Sequence, residues 1–115
     1  MTTNSSNSPT QKRLQLIEEM LESDPKDPFL IYAAALEYEK SGKITEAVRR
    51  LEQLHISHPD YLATYYRLGQ LYESIAEINK ALEIYRSGQE IARAQHDRKT
   101  LGELSEAIQL LEDED

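Results

Sequence analysis

The sequence repeats itself at a fixed interval, and this period constrains the fold more than any other feature. Pro25 recurs 34 positions later as Pro59 (59 − 25 = 34), and Ala47 recurs in the same register as Ala81. Three further pairs keep that separation: Ile44 and Ile78, Tyr32 and Tyr66, Tyr38 and Tyr72. A period of this length is typical of a stacked array of one small supersecondary unit. Such arrays mostly present a shaped surface to another macromolecule.

The composition favours helices in a single domain. The chain has 115 residues, of which 39% are hydrophobic and 30% charged, so it can bury a core. Only four glycines and four prolines interrupt it, and no segment alternates as a β-strand does. The chain has no cysteine, which excludes a disulfide framework, a thiolate metal site and a cysteine nucleophile. This is compatible with the reducing cytoplasm, where we expect the protein to be.

Apolar spacing and capping residues predict six helices. The expected segments are about 9–22, 27–42, 44–57, 61–75, a fifth that begins near residue 78 and a sixth that begins near residue 97. Asp27 and Asp60 stand beside prolines and are expected to cap the second and fourth helices. Arg93 stands where the period would place a proline. The fifth helix can therefore extend about a turn further than the third. Connections of two to four residues predict that neighbouring helices pack antiparallel.

Two copies of one motif resemble the tetratricopeptide repeat (TPR) family. One copy reads Tyr65-x-x-Leu68-Gly69-x-x-Tyr72 and then Ala81-x-x-x-Tyr85. The other reads Ile31-x-x-Ala34-Ala35-x-x-Tyr38, then Ala47-x-x-x-Leu51 and Pro59. The resemblance covers about residues 14–94. It implies an all-α fold of about six helices, in which antiparallel helical hairpins stack as a short right-handed superhelix.

The resemblance also implies roles for the small and aromatic residues. Gly69 and Ala81 are small because the two helices of a repeat approach closely there. The tyrosines expected to fill the space between repeats are Tyr38, Tyr72 and Tyr85.

Four positions depart from the family pattern. Ile31 replaces the usual aromatic residue and Ala76 replaces a turn glycine. Gly88 occupies a site that is usually small and apolar, and Arg13 stands where alanine is expected.

The period and the helices divide the chain into segments. We expect residues 1–8 to be a disordered N-terminal segment and residues 9–112 to be a TPR domain. Its parts are a half-repeat helix (9–26), repeat 1 (27–60), repeat 2 (61–95) and a C-terminal capping helix (97–112). Residues 113–115 form an acidic tail.

The charge is concentrated near the C-terminus. The net charge is −8, and from Glu103 onward there are six acids and no base, which leaves −2 for the remainder. This argues against nucleic-acid binding, which needs cations to displace phosphate counterions. The acidic end is interpreted as a solubilising segment. The alternatives are that it attracts a basic partner or folds back onto the bases Arg86, Arg93, Arg98 and Lys99.

In this family the first helix of each repeat lines a concave groove, so equivalent groove positions should fall one period apart. The expected partner-binding residues are Phe29, Tyr32, Ala33, Leu36 and Glu39 in the first repeat and Ala63, Tyr66, Arg67, Gln70 and Glu73 in the second. Helical spacing supports this independently, because Tyr32, Leu36 and Glu39 lie at i, i+4 and i+7, off the apolar stripe. Exposed tyrosine and phenylalanine are favoured binding anchors. The alternative is that Tyr32 and Tyr66 only cover neighbouring helices.

Some family members clamp an acidic C-terminal peptide with lysine and asparagine at these groove positions. Here Arg67 is the one cation among them, so the clamp is not expected.

His55-x-x-His58 is the nearest approach to a metal pair and is interpreted as surface histidines. No catalytic set, metal site or cofactor motif stands out, and we expect no enzyme. The polar N-terminus provides neither a signal peptide nor a membrane span.

The sequence therefore predicts a small, non-catalytic adaptor or scaffold. It is expected to bind a peptide or helix of a partner protein in its groove, without nucleic acid, membrane, metal or cofactor. The alternative is a homo-oligomerisation domain, in which a homodimer buries the same exposed aromatic and apolar surface.

Overall fold

The computed structural model describes residues 8–113, and those residues form six α-helices and no β-strand. The helices are α1 (Pro9–Ser23), α2 (Pro28–Lys40), α3 (Ile44–Ser57), α4 (Ala63–Ser74), α5 (Ile78–Ala94) and α6 (Arg98–Asp113). The all-α prediction is confirmed, and α5 is longer than α3, as expected. The disorder expected for residues 1–7, and the last two residues of the acidic tail, lie outside the described range.

Side-chain caps explain where three of the helices begin. The Asp27 carboxylate accepts hydrogen bonds from the backbone N–H groups of Phe29 and Leu30 at 2.9 and 3.3 Å. Asp97 caps α6 in the same way, through the N–H of Thr100 at 3.0 Å. Ser8 caps α1, because its hydroxyl oxygen accepts a hydrogen bond from the N–H of Gln11 at 3.1 Å. Each cap satisfies N–H groups that have no partner within the helix.

The start of α4 corrects the sequence prediction. The helix begins at Ala63 rather than Tyr61, and Asp60 does not cap it, because its N-cap residue makes no side-chain hydrogen bond. The N–H of Tyr61 donates instead to the carbonyl of His58 at 3.0 Å, which closes a turn around Pro59. The connection from α3 to α4 is therefore longer than expected, since the turn is completed before the helix starts.

Three turns use a left-handed residue at their centre. Gly42 (φ 79°), Ala76 (φ 62°) and His96 (φ 58°) follow the C-terminal ends of α2, α4 and α5. Gly42 and Ala76 are one repeat period apart, so both repeats close their hairpin with a left-handed residue at the same position. Only glycine adopts this geometry without steric cost, and Ala76 and His96 therefore carry local strain.

The chain divides into two compact units, one up to Leu54 and the other from His55 onward. In the first unit α1 packs against α2, and apolar side chains of α2 and α3 form the core. A polar cluster joins its three helices. Glu18 on α1 accepts hydrogen bonds from the Tyr38 hydroxyl and from Arg50, both at 2.8 Å. Tyr38 thus lies between the leading helix and repeat 1, as expected.

In the second unit α5 packs against both α4 and α6. A Cβ added at Gly88 would lie 2.6 Å from the Cβ of Tyr65, so glycine here lets α4 and α5 approach closely. This explains the unusual residue at that position. Tyr85 was expected to fill the space between repeats. Its ring packs instead against Gly69 within repeat 2. It fills the space that Gly69 leaves.

Helix α6 buries one side and exposes the other. Leu104, Ile108 and Leu111 are buried, while the acidic residues on the other side are exposed. Arg86 donates to the Glu112 carboxylate at 2.6 Å. Glu112, one of the acids that follow Glu103, therefore pairs with one of the expected bases. Both side chains are about half exposed, so the ion pair contributes little to stability.

Candidate functional site

One side of α2 carries the residues expected to bind a partner in the first unit. This side, the α2 face, consists of Phe29, Tyr32, Ala33, Leu36 and Glu39. Phe29 is 65% exposed, and the other four are half-buried. The α2 face therefore presents an aromatic and aliphatic surface that keeps contact with solvent.

The opposite side of α2 fixes the orientation of this face. Leu30, Ala34, Ala35 and Glu37 are buried there. The carboxylate of Glu37 accepts a hydrogen bond from Arg13 of α1 at 3.3 Å. Because these residues alternate with the α2 face at helical spacing, their burial turns the face away from the core.

The equivalent side of α4 carries the second set of expected residues. This side, the α4 face, consists of Ala63, Tyr66, Arg67, Gln70 and Glu73. Ala63 is exposed and the others are half-buried. Arg67 donates a hydrogen bond to the side-chain oxygen of Gln70 at 3.4 Å. The face combines an aromatic ring with side chains that donate and accept hydrogen bonds.

Tyr85 on α5 joins two members of the α4 face. Its hydroxyl donates to the Glu73 carboxylate at 2.5 Å, and its ring centroid lies 6.1 Å from that of Tyr66. Burial of Tyr85 raises the pKa of its hydroxyl, and the hydrogen bond to Glu73 raises it further. The hydroxyl therefore remains a donor at neutral pH and holds the carboxylate in place.

Tyr85 is not among the site residues that the sequence predicts. The family resemblance gives this side chain a packing role, although a signal for its position exists. Gly69 leaves a space on α4 one turn from both Tyr66 and Glu73. An aromatic residue on the facing helix fills that space, and its polar end then reaches Glu73. The ring itself is completely buried, so its role is to position Tyr66 and Glu73.

The two histidines near the end of α3 make separate contacts. The His55 ring meets the Tyr65 ring edge-on, with centroids 5.3 Å apart. The Nδ1 atom of His58 lies 2.9 Å from the Ser57 hydroxyl oxygen. Residues 8–113 contain no group of three or more histidine, aspartate or glutamate side chains that could hold a metal ion. Across that same stretch, every helix is too short or too polar to cross a membrane.

The two faces offer recognition groups rather than reactive ones. Their rings and aliphatic carbons can bury apolar side chains, while the Gln70 amide and the carboxylates of Glu39 and Glu73 can pair with donors. Surfaces of this kind suit the backbone and side chains of another polypeptide.

No protein-family model matches the sequence, and no curated protein matches it. Several solved structures match it. The crystal structure of a tetratricopeptide repeat domain protein from Salinibacter ruber is 39% identical, with a TM-score of 0.73, and the match covers 76% of this chain and 97% of that chain. A solution NMR structure from the same organism is also 39% identical, with a TM-score of 0.75, and covers 77% of this chain and 90% of that one.

A more distant structure shares the fold alone. The Sgt2 TPR domain from Aspergillus fumigatus is 23% identical, with a TM-score of 0.69, and the match covers 87% of this chain and 68% of that chain. The sequence identity of 39% to the Salinibacter ruber domain, over 76% of this chain and 97% of that chain, shows that the two proteins belong to the same family. The resemblance inferred from the repeated motif is thus confirmed, and the chain belongs to the tetratricopeptide repeat family.

Proposed function

We propose that this protein is a non-catalytic adaptor that binds a peptide or helix of a partner protein through the α2 face and the α4 face. Membership of the tetratricopeptide repeat family supports a protein-interaction module in general. The observation that carries the more specific proposal is the Tyr66–Tyr85–Glu73 arrangement, in which a half-exposed ring and a carboxylate are both held by a buried tyrosine.

Rigid aromatic side chains are effective anchors because they bury much area and lose little conformational entropy on binding. The Tyr66 ring rests on Tyr85, and Glu73 is already oriented, so neither must be ordered when a partner arrives. Phe29 on the α2 face adds a ring that is 65% exposed. An exposed phenylalanine at a period-related position is consistent with a binding role rather than a packing role.

The experiment that tests this proposal starts from a peptide library, because the partner is unidentified. Displayed peptides are selected on the wild-type chain, and a selected peptide is then titrated against variants by fluorescence anisotropy. We expect Phe29→Ala and Tyr66→Ala each to weaken binding at least about tenfold, as truncation of an anchor does. Circular dichroism should show unchanged helix content.

A matched control shows whether binding is lost only when a residue of the two faces is truncated, or when any exposed apolar side chain is truncated. Ile56 near the end of α3 is 79% exposed and belongs to neither face. Ile56→Ala should therefore leave the peptide affinity unchanged. If Ile56→Ala weakens binding as much as Tyr66→Ala does, the proposal is wrong.

Self-association through the same two faces is the alternative outcome. A dimer of that kind would bury Phe29 and Tyr66, so their alanine variants would be monomeric where the wild type is not. Sedimentation of the three proteins distinguishes the two cases. A cytoplasmic location and the absence of catalysis also belong to this proposal.

A further inference from the structure

Glu73 lies in the last turn of α4, and that turn contains no basic residue. The side chain is half-buried, and its carboxylate accepts a hydrogen bond from the Tyr85 hydroxyl. Within residues 8–113, no lysine or arginine pairs with this carboxylate. A charge that is partly withdrawn from water and has no partner of opposite sign costs free energy. The α4 face therefore holds an anion in place without neutralising it.

The end of α4 adds to the negative potential around this carboxylate. The last carbonyl groups of an α-helix carry the negative end of its dipole, which favours a cation and disfavours an acid. Glu77 follows Glu73 by one helical turn and is exposed, so it contributes a second negative charge nearby. This end of the α4 face is therefore suited to a cationic group of a partner.

The two bases closest to Glu73 in the sequence are engaged elsewhere. Arg67 precedes it by six residues, about 9 Å along the helix axis, and donates to the side-chain oxygen of Gln70. Lys80 on α5 lies over the Tyr72 ring, with its Nζ atom 5.8 Å from the ring centroid. The charge of Glu73 is therefore available to a cation from outside the chain.

Tyr66 provides an apolar contact on the same face. It precedes Glu73 by two helical turns, about 10 Å along the axis, and both side chains are held by Tyr85. An extended chain covers that distance with about three residues. One short peptide can therefore place an apolar side chain on the Tyr66 ring and a cationic side chain at Glu73.

We propose that the α4 face binds a peptide in which an arginine pairs with Glu73 and an apolar residue contacts Tyr66. This inference rests on the proposed function and specifies the ligand. A guanidinium group donates two parallel N–H bonds to a carboxylate, and it is more weakly hydrated than the ammonium group of lysine. It therefore loses less on entering a half-buried site. The Tyr85 hydroxyl uses one of about four acceptor positions of the carboxylate, so the others remain for the guanidinium.

The test uses a fluorescein-labelled peptide that display selection on the wild-type chain has yielded. The peptide is synthesised with arginine, lysine or citrulline at its arginine position, because citrulline keeps the shape of arginine without the charge. Each form is titrated by fluorescence anisotropy against the wild type, Glu73→Gln and Glu83→Gln. Glutamine at position 73 removes the charge but still accepts from Tyr85. Glu83 is exposed on α5 and belongs to neither face, so Glu83→Gln is the matched control.

We expect the wild type and Glu83→Gln to bind the arginine form at least about tenfold more tightly than the citrulline form, as the loss of a hydrogen-bonded charge predicts. The affinity for the lysine form should lie between these two. Glu73→Gln should bind the arginine and citrulline forms about equally, because its amide carries no charge to distinguish them. Circular dichroism should show the same helix content in all three proteins.

The inference is overturned if the selected peptides contain no arginine, or if the wild type binds the arginine and citrulline forms equally. It also fails if Glu73→Gln keeps the preference for arginine, if Glu83→Gln loses it, or if the lysine form binds as tightly as the arginine form. The adaptor proposal fails in a different way, when Phe29→Ala and Tyr66→Ala leave peptide affinity unchanged. A peptide that depends on Tyr66 but not on the charge of Glu73 would therefore contradict the arginine assignment alone.

Discussion

A methyl group placed on Gly69 would lie 2.1 Å from Cε1 of Tyr85, well inside van der Waals contact. The Tyr85 ring is completely buried, and its hydroxyl is held by Glu73 at 2.5 Å, so it has little freedom to move aside. The glycine of the first helix and the tyrosine of the second are therefore one packing unit. This unit also supports the ring of Tyr66 and the carboxylate of Glu73 on the α4 face.

Gly69→Ala should destabilise the protein. The added methyl group overpacks the contact with Tyr85, and we expect the free energy of unfolding to fall by about 1–3 kcal/mol. Gly102→Ala is the control, because a Cβ at Gly102 meets no atom within 4 Å. That substitution should raise stability by about 0.5–1 kcal/mol through helix propensity alone. Urea denaturation of both variants checks the opposite signs.

Tyr85→Phe should weaken the α4 face without removing its packing. The ring still fills the space beside Gly69, but Glu73 loses the hydrogen bond that orients it. We expect a loss of about 0.5–1.5 kcal/mol in unfolding free energy. Affinity for a selected peptide should also fall, and Glu73→Gln should alter it similarly. An unchanged peptide affinity in both variants would show that Glu73 does not take part in binding.

Ala76→Gly should stabilise the α4–α5 turn. Ala76 has a φ of 62°, where an alanine side chain costs about 1–2 kcal/mol and glycine none. Part of this gain is offset by the greater freedom of glycine in the unfolded chain, so we expect a net rise of up to about 1 kcal/mol. The reverse change, Gly42→Ala at the equivalent turn, should destabilise. Thermal unfolding of the two variants tests whether the turns behave alike.

The Glu18 cluster should make the first unit sensitive to acid. Burial disfavours the charged form of Glu18, but hydrogen bonds from Arg50 and Tyr38 outweigh it, so the pKa of Glu18 lies below its ordinary value of 4.5. The folded state therefore releases this proton more readily than the unfolded state. The stabilisation is complete above about pH 4.5 and is lost as the pH falls through the lower pKa of the folded protein.

Glu18→Gln isolates this contribution. The variant cannot ionise at that position, so its unfolding free energy should fall less steeply between about pH 5 and pH 3 than that of the wild type. At pH 7 the variant should be the less stable of the two, since Arg50 loses a charged partner. Parallel slopes for the two proteins would mean that other carboxylates account for the loss in acid.

The elements that follow from short-range rules were predictable from the sequence. The repeat period located α2 to α5, and the caps at Asp27 and Asp97 set two helix starts to within a residue. The start of α4 was wrong because the carbonyl of His58 accepts from the N–H of Tyr61, which closes a turn that delays the helix. Turn hydrogen bonds of this kind depend on backbone geometry that residue types alone do not determine.

The α2 and α4 faces were predictable as helical stripes, but their internal contacts were not. The family pattern gives Tyr85 a packing role, and the spacing of Gly69 and Glu73 does not by itself determine whether the Tyr85 hydroxyl comes within hydrogen-bond distance of that carboxylate. That contact depends on the distance between two packed helices, which Gly69 sets. Glu18 and Arg50 are likewise 32 residues apart in sequence and meet only through tertiary packing.

Amide chemical-shift mapping by NMR, with a selected peptide titrated into the labelled chain, tests the central claim most directly. The account predicts that perturbed amides cluster on the α2 and α4 faces, at Tyr32, Leu36, Tyr66 and Gln70, with little change in α1 and α6. Perturbations confined to α1, to α6 or to the region around Ile56 would contradict it.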